Sequence, residues 1–188
     1  MYTSFQTPAR QSKPIMLWAA FIIIGLVYAA LTNFYFKNSS RIDLEALPVP
    51  WPFYASTAVL LCGSLSIQYV KKMALKGQWG RATFFLLTTL ALASLFLNLQ
   101  LVGFVWFDQE YYALGIAPNT TSPVIWLLFL SHIAQFAAAV FLILRVLYRH
   151  INRNYRHGTI HGLEEATVFW NFLGLCWLYV FCLLLYFQ

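Results

Sequence analysis

Charge is what this sequence has least of. Only 10% of its 188 residues are Asp, Glu, Lys or Arg, against 61% that are apolar. A water-soluble domain carries about 25% charged residues, so this chain cannot coat a water-exposed surface. Acids are scarcer still. The six are Asp43, Glu45, Asp108, Glu110, Glu164 and Glu165, all in connecting segments or at the ends of apolar runs. A proton pump or ion-coupled carrier needs ionisable groups at membrane depth, and the missing carboxylates argue against one. Cysteine is sparse too. Cys62, Cys176 and Cys182 lie in apolar runs with no CxxC spacing, which predicts small buried apolar residues. Of four histidines, only His132 falls inside an apolar run. One histidine cannot supply a haem or copper ligand set. No inverted repeat appears, and no run is broken midway by Gly and Pro as in transporters.

What is present is length of apolar sequence. Five runs, approximately 15–36, 51–70, 82–107, 124–147 and 167–187, each have about the 20 residues that a hydrocarbon core of roughly 30 Å demands. The fold class expected is all-α: an integral membrane bundle of five transmembrane helices in one domain, behind a polar tail over residues 1–14. The stretch Pro48-Val49-Pro50-Trp51-Pro52 cannot lie in mid-helix, so it leads into the second helix.

The formal charge is +6. Its positive residues flank the apolar runs and form no soluble basic face, which points to membrane topology and away from nucleic acid. Arg10 and Lys13, then Lys71, Lys72, Lys76 and Arg81, then Arg145, Arg149, Arg153 and Arg156 fall on one side. Only Lys37 and Arg41 fall on the other. The positive-inside rule predicts a cytoplasmic amino terminus and a carboxyl terminus outside.

Small residues recur at helical spacing: Ala58, Cys62 and Ser66; Gly25 and Ala29 with Asn33; Ala134 and Ala138. Such patterns let helix backbones approach closely where lipid offers no hydrophobic drive, and they suit a bundle or a partner interface. Asn98, Gln100 and Asn171 are expected to hydrogen-bond between helices. His132, with Gln135 one turn on, lies about 12 Å into its run. It is expected to be a neutral histidine bonded to a neighbouring helix, with a proton or ligand role as the alternative. Arg145, Arg149 and Arg153 recur every fourth residue and share one helix face. They read as an anchor to anionic lipid head groups or as a partner site. The strings Asn38-Ser39-Ser40 and Asn119-Thr120-Thr121 match the glycosylation pattern, a short match that arises by chance.

The ordered pattern from Lys13 onward resembles subunit III of the haem–copper (cytochrome c) oxidases, in its short five-helix bacterial form. The resemblance is carried by Trp51 to Leu61 with Gly63-Ser64, by Trp106 to Gly115 and the Asn-Thr-Thr-Ser loop, and above all by the last run. There His161-Gly162-Leu163-Glu164 precedes Phe169-Trp170-Asn171-Phe172 and Trp177-Leu178-Tyr179. The departures are specific. The family's His-x-x-His pair appears here as His132 and Gln135, the His of its closing Trp-His-Phe as Asn171, and its buried Glu near Ile23 is missing.

The resemblance implies a non-catalytic accessory subunit of a terminal cytochrome c oxidase in the cell inner (plasma) membrane. It implies no catalytic, cofactor or metal residues in this chain, with haem and copper held by the partner catalytic subunits. The implied partners are oxidase subunit I, other oxidase subunits, phospholipids and a respiratory supercomplex. Implied lipid or subunit contacts are His132, Arg145, Arg149, Arg153, Glu164, Trp170 and Asn171. Lipids are expected between this chain and its neighbours, since the short form lacks the two helices that complete the family's own lipid cleft. Two other readings stay open: the accessory protein of a nitric-oxide reductase, and a free-standing small membrane carrier.

Overall fold

A computed structural model describes residues 12–38, 49–113, 121–151 and 161–186. These form five α-helices and no strand: α1 (Ser12–Asn38), α2 (Trp51–Leu75), α3 (Trp79–Ala113), α4 (Thr121–Ile151) and α5 (His161–Tyr186). All five are long and apolar enough to cross a membrane. Each alternates in direction with the next. The bundle therefore has a near end, where α1, α3 and α5 begin, and a far end, where they finish.

The helices outrun the apolar segments that announce them. α3 has 35 residues, roughly 52 Å at 1.5 Å per residue, well beyond a hydrocarbon core of about 30 Å. Helical backbone bonds close internally, so nothing forces the helix to stop at the edge of the apolar run. Residues assigned by sequence to loops consequently sit on helical turns: Lys71 and Lys72 on α2, Arg81, Asp108 and Glu110 on α3, Arg149 on α4. Arg41, Asp43, Glu45, Arg153, Arg156 and most of the amino-terminal tail lie outside the described residues.

The α2–α3 connection is three residues long. Pro50 and Pro52 open α2, where a missing N–H costs nothing, and Phe53 N donates to the Pro50 carbonyl at 3.0 Å. At the other end Gly77 takes φ 69°. Gly77 N then donates to Ala74 O and Gln78 N to Met73 O, both at 3.0 Å. This paired closure satisfies the last carbonyls of α2 and needs a residue that tolerates the left-handed conformation. Ala82 N already donates to Gln78 O at 3.0 Å, so α3 starts at once. So short a turn sets the two helices side by side and antiparallel. Ser66 Oγ donates across the pair to Phe85 O at 3.0 Å, and Thr89 Oγ1 donates to Ser66 Oγ at 3.0 Å.

α5 packs on α2 and α4; α4 also touches α3, and α1 leans on α4 and α5 from outside. α1 is the most exposed helix. Trp18, Ile22, Ile23 and Leu26 face outward, and Phe21 stacks on Phe172 of α5 with ring centroids 4.0 Å apart.

Of the two places the small-residue stripes suit, a bundle interior or a partner interface, this bundle uses the first only at Ser66. Gly25, Ala29, Ala58, Cys62, Ala134 and Ala138 are all exposed, and only Ser66 is buried. Close approach is made elsewhere, beneath large rings. A Cβ built on Gly63 would sit 2.7 Å from Trp170 Cζ2, and one on Gly103 would sit 2.6 Å from Phe53 Cε1. Aromatic side chains fill the interior, so it is ring against backbone that demands glycine. The cysteine expectation is corrected likewise: Cys176 is buried, while Cys62 and Cys182 are exposed.

Candidate functional site

All five helices contribute to one polar layer in the far half of the bundle. Its centre is His132 on α4, eleven residues from the helix start at Thr121, hence roughly 16 Å along the axis. The imidazole is 1% exposed. It meets the ring of Phe96 from α3 at 5.9 Å and that of Trp177 from α5 at 5.3 Å. Neither ring nitrogen has a hydrogen-bond partner among the described residues. The sequence led us to expect a bond to a neighbouring helix. Aromatic rings occupy both flanks instead, and they offer no lone pair in reach.

Around it the other polar groups are paired. Trp177 Nε1 donates to Thr57 Oγ1 of α2 at 2.9 Å, and Thr57 passes its own proton to Phe53 O at 2.8 Å. Gln100 Nε2 of α3 donates to Ser56 Oγ at 3.0 Å, and Ser56 donates to the same Phe53 carbonyl at 2.9 Å. Gln135 Nε2 donates to the Tyr28 hydroxyl of α1 at 3.2 Å, with Ser131 Oγ 3.4 Å from the same oxygen. Tyr179 of α5 donates to Thr32 Oγ1 of α1 at 2.8 Å. The bonds of Trp177, Gln100, Gln135 and Tyr179 each join two helices by neutral groups, the form that burial without water favours. The amide oxygens of Gln100 and Gln135 are buried and unpartnered.

The residues expected to act together are dispersed. Trp170, fully buried, lies two turns of α5 from Trp177 and covers Gly63. Its Nε1 has no hydrogen-bond partner. Asn171 beside it is half-buried. Asn98 departs from expectation. It faces outward, and its Nδ2 donates at 2.8 Å to Ser94 O of its own helix, so it joins no other helix. Arg145 is exposed and Arg149 half-buried near the end of α4; Arg153 lies outside the described residues.

The near end carries charge. Glu164, in the first turn of α5, pairs with Lys71 of α2 at 3.2 Å, both side chains about two-fifths exposed. Close by, His150 of α4 bonds Thr83 of α3 through Nε2 and stacks on Trp79 at 5.5 Å. Thr83 donates its proton to Trp79 O at 2.9 Å, so the imidazole is the donor to the hydroxyl. Among the described residues, no three of His, Cys, Asp and Glu come together as a metal-ligand group.

Tyr28, Thr57 and Trp177 escaped the sequence reading as polar partners. A tyrosine or tryptophan in an apolar run looks like bulk, and only the meeting of helices reveals which hydroxyl faces which amide. The Ser-Thr pair Ser56-Thr57 just after a proline-led helix start was the one visible signal. No protein-family model matches this sequence, and no curated protein matches it either.

Proposed function

We propose that the chain is a non-catalytic accessory subunit of a terminal cytochrome c oxidase, the subunit III of that complex. In this reading it steadies the catalytic subunit, holds lipid at the interface and sustains proton-coupled oxygen reduction. Its amino end lies in the cytoplasm and its carboxyl end outside the cell inner membrane. The observation that carries the reading is the part α5 plays. Trp170 and Trp177, central to the resemblance, are the two largest fully buried side chains, and they pack the bundle. A helix used in that way supports a scaffold, with haem and copper belonging to the partner catalytic subunits. Outward-facing Gln68 and Asn98, together with the exposed small residues, suit contact with helices of oxidase subunit I. A polar side chain turned to hydrocarbon is costly, and a neighbouring helix relieves that cost.

The test is purification of the tagged chain in mild detergent from its native membrane, with an optical spectrum and identification of what accompanies it. Co-purification with a haem–copper catalytic subunit is the expected result; purification alone, or with an unrelated transporter, overturns the proposal. A nitric-oxide reductase catalytic subunit in its place would shift the accessory role to that enzyme. An oxidase prepared without the chain should keep its haem spectrum and lose turnover progressively over many cycles. Immediate and complete loss of electron transfer in a fully metallated remainder would contradict the accessory role.

A further inference from the structure

We propose that the layer around His132 is an internal hydration site, in which water joins the imidazole to the amide oxygens of Gln135 and Gln100. A neutral imidazole offers one donor and one acceptor, and both of its nitrogens are unpartnered at 1% exposure. The Gln135 and Gln100 oxygens add two further acceptors without partners. Both glutamines belong to the same surroundings. Gln135 follows His132 by one turn of α4. Gln100 follows Phe96 by one turn of α3, and its amide is tied to Ser56, next to the Thr57 that holds Trp177. Phe96 and Trp177 are the two rings against the imidazole.

The count of groups selects the ligand. The layer holds three unpartnered acceptors and one donor, so a molecule that serves it must bring donors and accept at least one hydrogen bond. Water does both, and a buried water holds its place with two to four such partners. A direct bond from His132 to Gln135 would satisfy one nitrogen and one oxygen and leave the rest. A second proton on the ring would place a charge in a layer whose other polar groups are neutral, a costly arrangement away from water. An apolar ligand would satisfy none of the atoms.

A cavity lined by Phe53, Phe104, Phe107, Leu128, Phe129 and Trp177 occupies the far half of the bundle. Leu128 precedes His132 by one turn, and Trp177 touches the imidazole directly. Trp177 is thus shared between the cavity wall and the surroundings of the imidazole.

The inference concerns the bundle alone and does not depend on the oxidase reading. It is tested on the full chain in lipid bilayers with ¹⁵N-labelled histidine, by solid-state NMR that transfers magnetisation from water protons to imidazole nitrogens. His132 is the only histidine preceded by serine, so ¹³C-carbonyl serine labelling identifies its backbone signal without any substitution. His132→Phe identifies its ring signal where that variant folds. The expected result is a water-derived His132 imidazole signal, with both nitrogens hydrogen-bonded, that weakens in Gln135→Leu. An imidazole that receives no water magnetisation while other histidines do would overturn the proposal. A His132 bonded only to protein groups would overturn it equally.

Discussion

The far and near halves of this bundle differ in one respect: among the described residues, an ion pair is added to the neutral bonds only in the near half. In the far half the bonds between helices join neutral side chains: Trp177 with Thr57, Gln100 with Ser56, Gln135 with Tyr28, Tyr179 with Thr32. In the near half the prominent pair is ionic and part-exposed, Lys71 with Glu164. The difference follows from solvation. An ion taken out of water loses several kcal/mol that a partner only partly restores, whereas an amide or hydroxyl needs just one well-placed partner. Charge therefore stays where water and lipid head groups reach it, and the interior is held in register by neutral bonds and rings.

The largest energetic contrast is expected at the aromatic centre. Trp170→Ala should cost about 3–5 kcal/mol, because a fully buried indole leaves a cavity that rigid helices cannot close. Trp18→Ala, on the outward face of α1, should stay within about 0.5 kcal/mol. Thermal unfolding of both variants in one detergent checks the contrast; equal losses would mean that α5 is not the core helix described.

Next in size is the backbone beneath that indole. Gly63→Ala would press a methyl against Trp170 and should cost about 1–3 kcal/mol. Gly25→Ala meets nothing within 4 Å and should be neutral or stabilising by up to about 1 kcal/mol. A shared midpoint for the two variants in the same unfolding assay would contradict the close approach of α2 and α5.

A smaller effect separates the two kinds of polar contact. Thr57→Val removes the acceptor of the Trp177 bond and should cost about 0.6–2 kcal/mol, with little response to salt. A double-mutant cycle with Trp177→Phe isolates the coupling, and a value near zero would show that the bond contributes only geometry.

The smallest change is expected at the near end. Glu164→Gln breaks the pair with Lys71 and should cost about 0–1 kcal/mol, fading as ionic strength rises. Glu165→Gln leaves that pair intact and should change less. A larger, salt-independent loss at Glu165 would invert the assignment of these two neighbours.

Much of this arrangement was legible in advance. Apolar runs of about 20 residues imposed five helices, and Pro50 and Pro52 located the start of α2, because lipid leaves the backbone few choices. Helix ends were less legible, as α3 shows by continuing through Asp108 and Glu110. A helix in the head-group region satisfies its own backbone whether its side chains are apolar or charged. The small-residue stripes were legible only in part, for a different reason. Spacing reports that Gly25 and Ala29 share a face, but not whether that face looks inward. Glu164 was legible as an acid at the end of an apolar run; its partner Lys71, 93 positions earlier in the chain, was not.

The sequence by itself determined the class of solvent, the number of helices and the confinement of charge to their ends, since all three follow from the cost of removing charge and peptide groups from water. Tertiary structure decided which polar groups meet. Thr57 meets Trp177 across 120 positions, Tyr28 meets Gln135 across 107, and His132 is left between two rings with its nitrogens unpartnered. Helical periodicity fixes a residue's face, but the rotation and tilt of each helix come from packing. In this bundle that packing is set by Trp170 over Gly63 and Phe53 over Gly103.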